Sequence, residues 1–257
     1  MKLLKDFKLQ KDQMLQDEKF REICKKHNVL HLSLDRFRRC RRFQEKIFFR
    51  LNDIPVTERL TKKLFRENSI WFVMNCEVIN DNIIPVPLGI TDTSWCKVIG
   101  NLDVIEETNK TERNYRNLAY FNCNCDRKDA GLKERLEVIK NFGREKWLTV
   151  GKFERNHSGH RRFIEEIYNH KFVFCPRGNG VDTHRLWMTL YLGSIPIVKD
   201  HITHRTFKHL PILFVKDWNE ISEEFLKEKY EEIHSKEYDF SILKMEYWEK
   251  LFGEKFS

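Results

Sequence analysis

The stretch CPRGNGVDTHR, residues 175–185, gathers two glycines, three cationic or hydrogen-bonding side chains and two helix-capping candidates into eleven positions. It lies between an apolar run, Phe172-Val173-Phe174, and an amphipathic run over residues 186–192. That order predicts a strand, a glycine-bearing loop and a helix, the setting in which backbone N–H groups at a helix N-terminus cradle an anion such as phosphate. Gly178 and Gly180 open backbone angles closed to other residues and let a ligand approach closely. Asp182 or Thr183 stands where it can cap the helix. Arg177, His184 and Arg185 add donor groups at the same end, where an arginine fork grips phosphate through two hydrogen bonds. The competing reading is a tight turn with no ligand.

The elements that must position this loop fall into two alternating series. Residues 1–27 predict one or two helices, 29–33 and 46–51 predict strands with a basic helix between them, 56–65 a helix and 70–74 a strand. Residues 83–89 are extended, because each residue before a proline is pushed out of the helical region. Residues 100–114, rich in Asn, Asp, Glu, Lys and Thr, read as a linker. The second series has strands at 118–121, 147–150, 172–174, 194–198 and 212–215, with helices at 130–141, 161–168, 186–192 and 222–235. Two such series predict two doubly wound α/β domains with ligand in the cleft between them. Their expected bounds are 1–112 and 113–235, with a helical segment at 236–257 packing back on the first domain.

Residues 170–199, HKFVFCPRGNGVDTHRLWMTLYLGSIPIVK, closely resemble the donor-binding core of exostosin-like glycosyltransferases. Within that group the chain is most similar to small soluble enzymes of large algal viruses and some bacteria. More distantly it resembles animal and plant xylosyl-, glucuronosyl- and galactosyltransferases. The resemblance is strong over these thirty residues, moderate from Leu118 to Tyr230 and weak before that. It implies a GT-B fold of two Rossmann-like domains and an inverting, metal-independent mechanism. It also implies a UDP-sugar donor held mainly by the C-terminal half, with a glycan hydroxyl as acceptor.

Inverting transfer needs a base for the acceptor hydroxyl and cations for the departing diphosphate. Asp53, just past the predicted strand at 46–51, aligns loosely with an Asn/Ser-Asp pair in similar enzymes and is the candidate base. Asp92 and Glu77 are weaker candidates, and a turn-initiating role is the alternative for Asp53. Arg185 is the candidate diphosphate ligand, since a cation in a helix's first turn is unfavourable unless an anion accompanies it. Arg135 matches a helix arginine that similar enzymes aim at the donor, with an ion pair to Glu134 or Glu137 as its alternative. Arg177 and Asn179 either touch ligand or hold the loop's shape. Gly178, Gly180, Asp182, Thr183 and His184 complete the expected donor site, and Asn122 either faces the cleft or makes a turn. Met188 stands where similar enzymes carry a glutamate. It shares a helix face with His184 and Arg185, and a thioether cannot accept hydrogen bonds from ribose hydroxyls effectively.

Composition narrows the remaining classes. A hydrophobic share of 40% with 20 Phe supports a packed core, and no apolar run of about 18 residues suggests a membrane span. The N-terminus lacks a signal peptide's apolar centre, so a cytoplasmic protein, in host cytoplasm if viral, is expected. Seven scattered cysteines fit free thiols better than a disulfide scaffold. A net charge of +8 calls for anionic partners without choosing one. The arginine cluster at 36–42 matches no nucleic-acid motif, so a non-catalytic nucleic-acid-binding protein is a rival supported by charge alone. A phosphoryl-transfer enzyme is the other rival, but no Gly-Lys-Ser/Thr follows the glycine loop. The pairs His157/His160 and His201/His204 lack partner ligands for a metal, Cys123 and Cys125 are too close for a CxxC motif, and no Asp-x-Asp occurs.

Overall fold

The computed structural model describes residues 2–32, 46–49, 54–66, 68–90 and 102–256. The first series opens with β1 (Lys2–Leu3) and α1 (Asp17–Lys26). It continues with β2 (Leu30–Leu32), β3 (Lys46–Phe49), α2 (Glu58–Leu64), β4 (Ile70–Val73) and β5 (Ile83–Pro85). Strands β2 to β5 pair in that order, all parallel. The alternation along β4 explains why. Trp71 and Val73 enter a small core with Ile47, Val56 and Ile83, whereas Phe72 and Met74 point the other way into the main core. A strand buried on both faces belongs inside a parallel sheet. The basic helix expected between β2 and β3, with its arginine cluster, lies outside the described residues.

The expected linker is helical instead. Residues Leu102–Asn109 form α3, with Val104 and Ile105 buried in the main core. Its polar composition belongs to the face turned outward, where Asp103 pairs with Lys11 at 2.6 Å and Glu107 with Arg161 at 2.9 Å. Asn109 donates to the Tyr191 carbonyl at 3.0 Å, so the helix also holds the second series.

That series runs β6 (Asn117–Phe121), α4 (Leu132–Phe142), β7 (Leu148–Val150), α5 (His157–Tyr168) and β8 (His170–Phe174). It ends with α6 (His184–Tyr191), β9 (Ile195–Lys199), β10 (Leu213–Val215) and α7 (Glu223–His234). Its five strands form one parallel sheet in the order β10-β9-β8-β6-β7. The central strand, β8, buries Phe172, Val173 and Phe174 completely. This is an α/β architecture of parallel sheets and helices, compatible with Rossmann-like folds.

The C-terminal segment returns to the first series. β11 (Glu237–Tyr238) pairs antiparallel with β1, and α8 (Met245–Phe256) lies against α1 and β4. Phe72 packs with tilted rings 4.0 Å from Phe252 and 5.6 Å from Phe256, ring centre to ring centre, and Trp248 meets Phe20 edge-on at 6.1 Å. Phe72→Ala should therefore cost about 3–5 kcal/mol, the usual range for emptying an aromatic site in a core. Urea denaturation of the full chain measures it. A loss below about 1 kcal/mol would mean that α8 does not depend on this contact.

Candidate functional site

In chain order the second sheet's strands stand as 2-1-3-4-5, the flavodoxin-like arrangement, so the winding direction reverses between β6 and β8. The loops leaving the carboxyl ends of those two strands diverge, and the crevice between them is where such sheets bind ligands. Here the loops at 122–131, 151–156 and 175–183, with the first turns of α5 and α6, enclose a cleft of about 260 Å³. Leu88, contributed from beyond β5, closes one side.

Every residue expected on the donor side lines this cleft: Asn122, Arg135, the loop from Arg177 to Gly180, and Asp182 through Arg185 with Met188. The base candidates do not join them. Asp53 and Asp92 lie outside the described residues, and Glu77 does not line the cleft but faces His201 at 3.8 Å.

The loop is held by its own backbone and by Arg177. The Gly178 N–H donates to the Gly180 carbonyl at 3.0 Å, and the Arg177 guanidinium donates to the Asn179 carbonyl at 2.8 Å. Arg177 therefore spends part of its fork on loop shape, as one of its two readings expected. The glycines serve differently from expectation, because neither adopts a left-handed φ. A Cβ at Gly178 would meet open space, and one at Gly180 would strike the Asn75 amide. The glycine that the loop cannot lose is Gly131, where a Cβ would sit 1.9 Å from the Arg177 carbonyl oxygen.

Asp182 is a structural tie rather than a free ligand group or a cap. Its carboxylate is buried, with one oxygen accepting from the Leu88 N–H at 2.8 Å and the other from the Trp187 indole at 2.7 Å. Burial pushes its pKa up to about 7, against the pull of the Leu88 amide, the Trp187 indole and the Thr183 amide. Thr183 occupies the N-cap position of α6 but makes no side-chain cap, and its buried hydroxyl has no partner among the described residues. His184 pairs its Nδ1 with the Gly89 carbonyl at 2.8 Å, which places the proton on that nitrogen. Asn122 is buried and donates to the Tyr120 hydroxyl and the Lys152 carbonyl, joining the loops after β6 and β7.

The two arginines expected at the diphosphate differ in their counter-charges, although each has a buried Nε without a partner among the described residues. Arg135 is buried and ion-paired with Asp129, a partner other than the neighbouring glutamates considered from sequence. Asp129 also accepts from the Gly131 N–H at 2.9 Å, an Asx turn whose Asp-x-Gly signature was legible in principle. Arg185 has no ion pair among the described residues, and its buried Nε has no hydrogen-bond partner there. Its guanidinium lies 5.7 Å from the Phe163 ring centre. Burial pushes the neighbouring Tyr120 phenol and Cys175 thiol each up to about 12, and the Arg185 charge acts on both in the opposite direction.

Sequence reasoning missed the wall formed by Phe153, Glu154, Arg155, His160 and Phe163. The one signal in the sequence was an aromatic residue, Phe153, in the charged stretch that follows the strand at 147–150. His160 is buried and neutral at ordinary pH, its pKa lowered to about 4 by desolvation. No group of three metal-ligating side chains occurs among the described residues, and no helix there is long and apolar enough to cross a membrane.

Residues 133–255 match the family model of the RXYLT1 C-terminal domain. The match spans α4 to α8 and supports a xylosyltransferase-like glycosyltransferase relationship for this half of the chain. No curated protein matches the chain.

The Asp182 tie has a pH signature. A carboxyl group whose pKa is raised on folding stabilises the native state fully below the ordinary carboxylate range, and loses that contribution as pH rises through about 7. Asp182→Asn should flatten that part of the pH dependence. Urea midpoints at about pH 5 and about pH 8 measure it, and an equal fall in both proteins would remove Asp182 as its source.

Proposed function

We propose that the cleft binds a UDP-sugar, with UDP-xylose the preferred donor, for transfer to a hydroxyl of a glycan acceptor. The observation that carries this reading is Arg185. A half-buried guanidinium in a helix's first turn, with no described counter-charge, is destabilised by the helix dipole and by desolvation unless an anion sits against it. The donor's diphosphate is that anion, supported by the glycine loop and the α6 N-terminus. The preference for xylose rests on the family model matched by residues 133–255.

In this reading the acceptor hydroxyl loses its proton to a carboxylate base, and its oxygen bonds to the sugar's anomeric carbon from the face opposite the diphosphate. The carbon–oxygen bond to the diphosphate breaks, and UDP leaves with the electron pair, its charge held by Arg185. The transfer inverts the anomeric centre. Asp53 is the proposed base, on its place in sequence shortly after β3. The two sheets are proposed as the two halves of a GT-B enzyme. Met188 offers nothing to hydroxyl groups, and Asp129 and Asp182 are already engaged. Glu154, paired among the described residues only with the well-exposed Lys152 and Arg162, is the cleft carboxylate proposed to accept from sugar or ribose hydroxyls.

Arg185→Ala should weaken UDP by about 1.5–3 kcal/mol, the worth of a hydrogen bond to a charged group. Arg185→Lys should recover only part, lacking the two-pronged fork. Calorimetric titration of UDP decides, and a folded alanine variant of unchanged affinity would remove Arg185 from the site. Donor turnover should also persist in excess chelator, because fixed cations take the place of a metal at the leaving group. Activity abolished by EDTA and restored by manganese would overturn that part of the mechanism.

A further inference from the structure

The glycine loop does not stand on its own sheet. Asn75, directly beyond β4 in the other sheet, is buried and adopts a left-handed backbone with φ of +50°. That angle is tolerated by asparagine better than by most residues. Its Oδ1 accepts the Asp182 N–H at 2.8 Å, across 107 positions of sequence. A backbone N–H can only donate, so this bond fixes which way the amide faces. Gly180 packs directly on the same amide, whose nitrogen, oxygen and carbon lie 2.7, 2.8 and 2.9 Å from where a Cβ at that position would stand. Asn75 is itself fixed: its carbonyl accepts the Val56 N–H at 3.0 Å, and Arg205 donates to the Cys76 carbonyl at 2.9 Å.

We propose that Asn75 is a positioning residue for the donor site, a rigid post against which the glycine loop takes its anion-binding shape. The proposal rests on the reading of the cleft as that site. Asn75 does not line the cleft, so it acts through Gly180 and Asp182. It also accounts for the glycine at position 180, where φ is not left-handed but the Asn75 side chain leaves no room for a Cβ.

A double-mutant cycle on the full chain tests this, with UDP as the calorimetric probe and thermal melts to establish folding. Asn75→Gly keeps the unusual φ accessible while removing the post, and should weaken UDP about tenfold, the effect of one lost hydrogen bond of ordinary strength. Gly180→Ala should weaken UDP as well, by pushing the loop off the amide. The double variant should bind no more weakly than Asn75→Gly alone, because the new methyl group then occupies the space vacated by the amide. Sites that act independently would instead add to about a hundredfold loss, and that result overturns the proposal. Hydrogen exchange supplies a second readout that survives poor folding of either variant alone: residues 177–184 should exchange faster in Gly180→Ala while β8 stays protected. Unchanged exchange in that loop also overturns the proposal. A wild-type chain that does not bind UDP sinks the donor-site reading and this inference with it, whereas UDP binding that survives Asn75→Gly unchanged overturns this inference alone.

Discussion

The structure depends on how a carboxylate can be buried where two parallel sheets meet. Asp182 sits at the exit of the glycine loop, and its oxygens are taken by the Leu88 amide from one sheet's series and the Trp187 indole from the other's. An unpaired carboxyl group there would carry a heavy desolvation penalty. The two hydrogen bonds offset it only when Leu88, the loop and α6 are all in place. Gly89, whose carbonyl receives the His184 ring, follows directly on Leu88. The N-terminus of α6 is thus positioned from the β5 side as much as from β8.

The same principle sorts the cleft's cations. Arg135 has a buried counter-charge in Asp129, which it shares with Arg127, and it braces the loop after β6 through the Arg127 carbonyl. Arg177 has turned part of its fork back onto the loop carbonyls. Arg185 stands in the cleft without an ion pair among the described residues, as Arg155 does, and it lies in the first turn of a helix whose terminus repels it. Three arginines that look equivalent in sequence are separated by what surrounds each of them, not by residue type.

The strand-loop-helix unit was legible because its signals are local: an apolar run, two glycines and an amphipathic run read in order. The alternation of two α/β series was legible for the same reason, and each residue picked out from sequence for the donor side lines the cleft, although the wall from Phe153 to Phe163 was missed. What failed to show was long-range. Asn75 meets Asp182 across 107 positions, and nothing in its neighbourhood marks it. Gly180 suggested backbone freedom, but the reason for a glycine there is a side chain in the other sheet. The polar stretch at 100–114 read as a linker because composition averages over both faces of a helix, whereas α3 is decided by Val104 and Ile105 on its buried face.

Met188 gains meaning from this electrostatic arrangement. It is buried in the cleft one helical turn beyond Arg185, where a carboxylate would lie within reach of both Arg185 and His184. Such a carboxylate would give Arg185 a permanent partner, and an incoming diphosphate would then have to share the guanidinium with it. The thioether leaves the charge uncompensated until an anion arrives, at the expense of an acceptor for ribose hydroxyls. In the proposed reading of the cleft, the thioether therefore favours the diphosphate over the nucleoside. That reading assigns selectivity among nucleotides to the wall that carries Phe153 and Glu154.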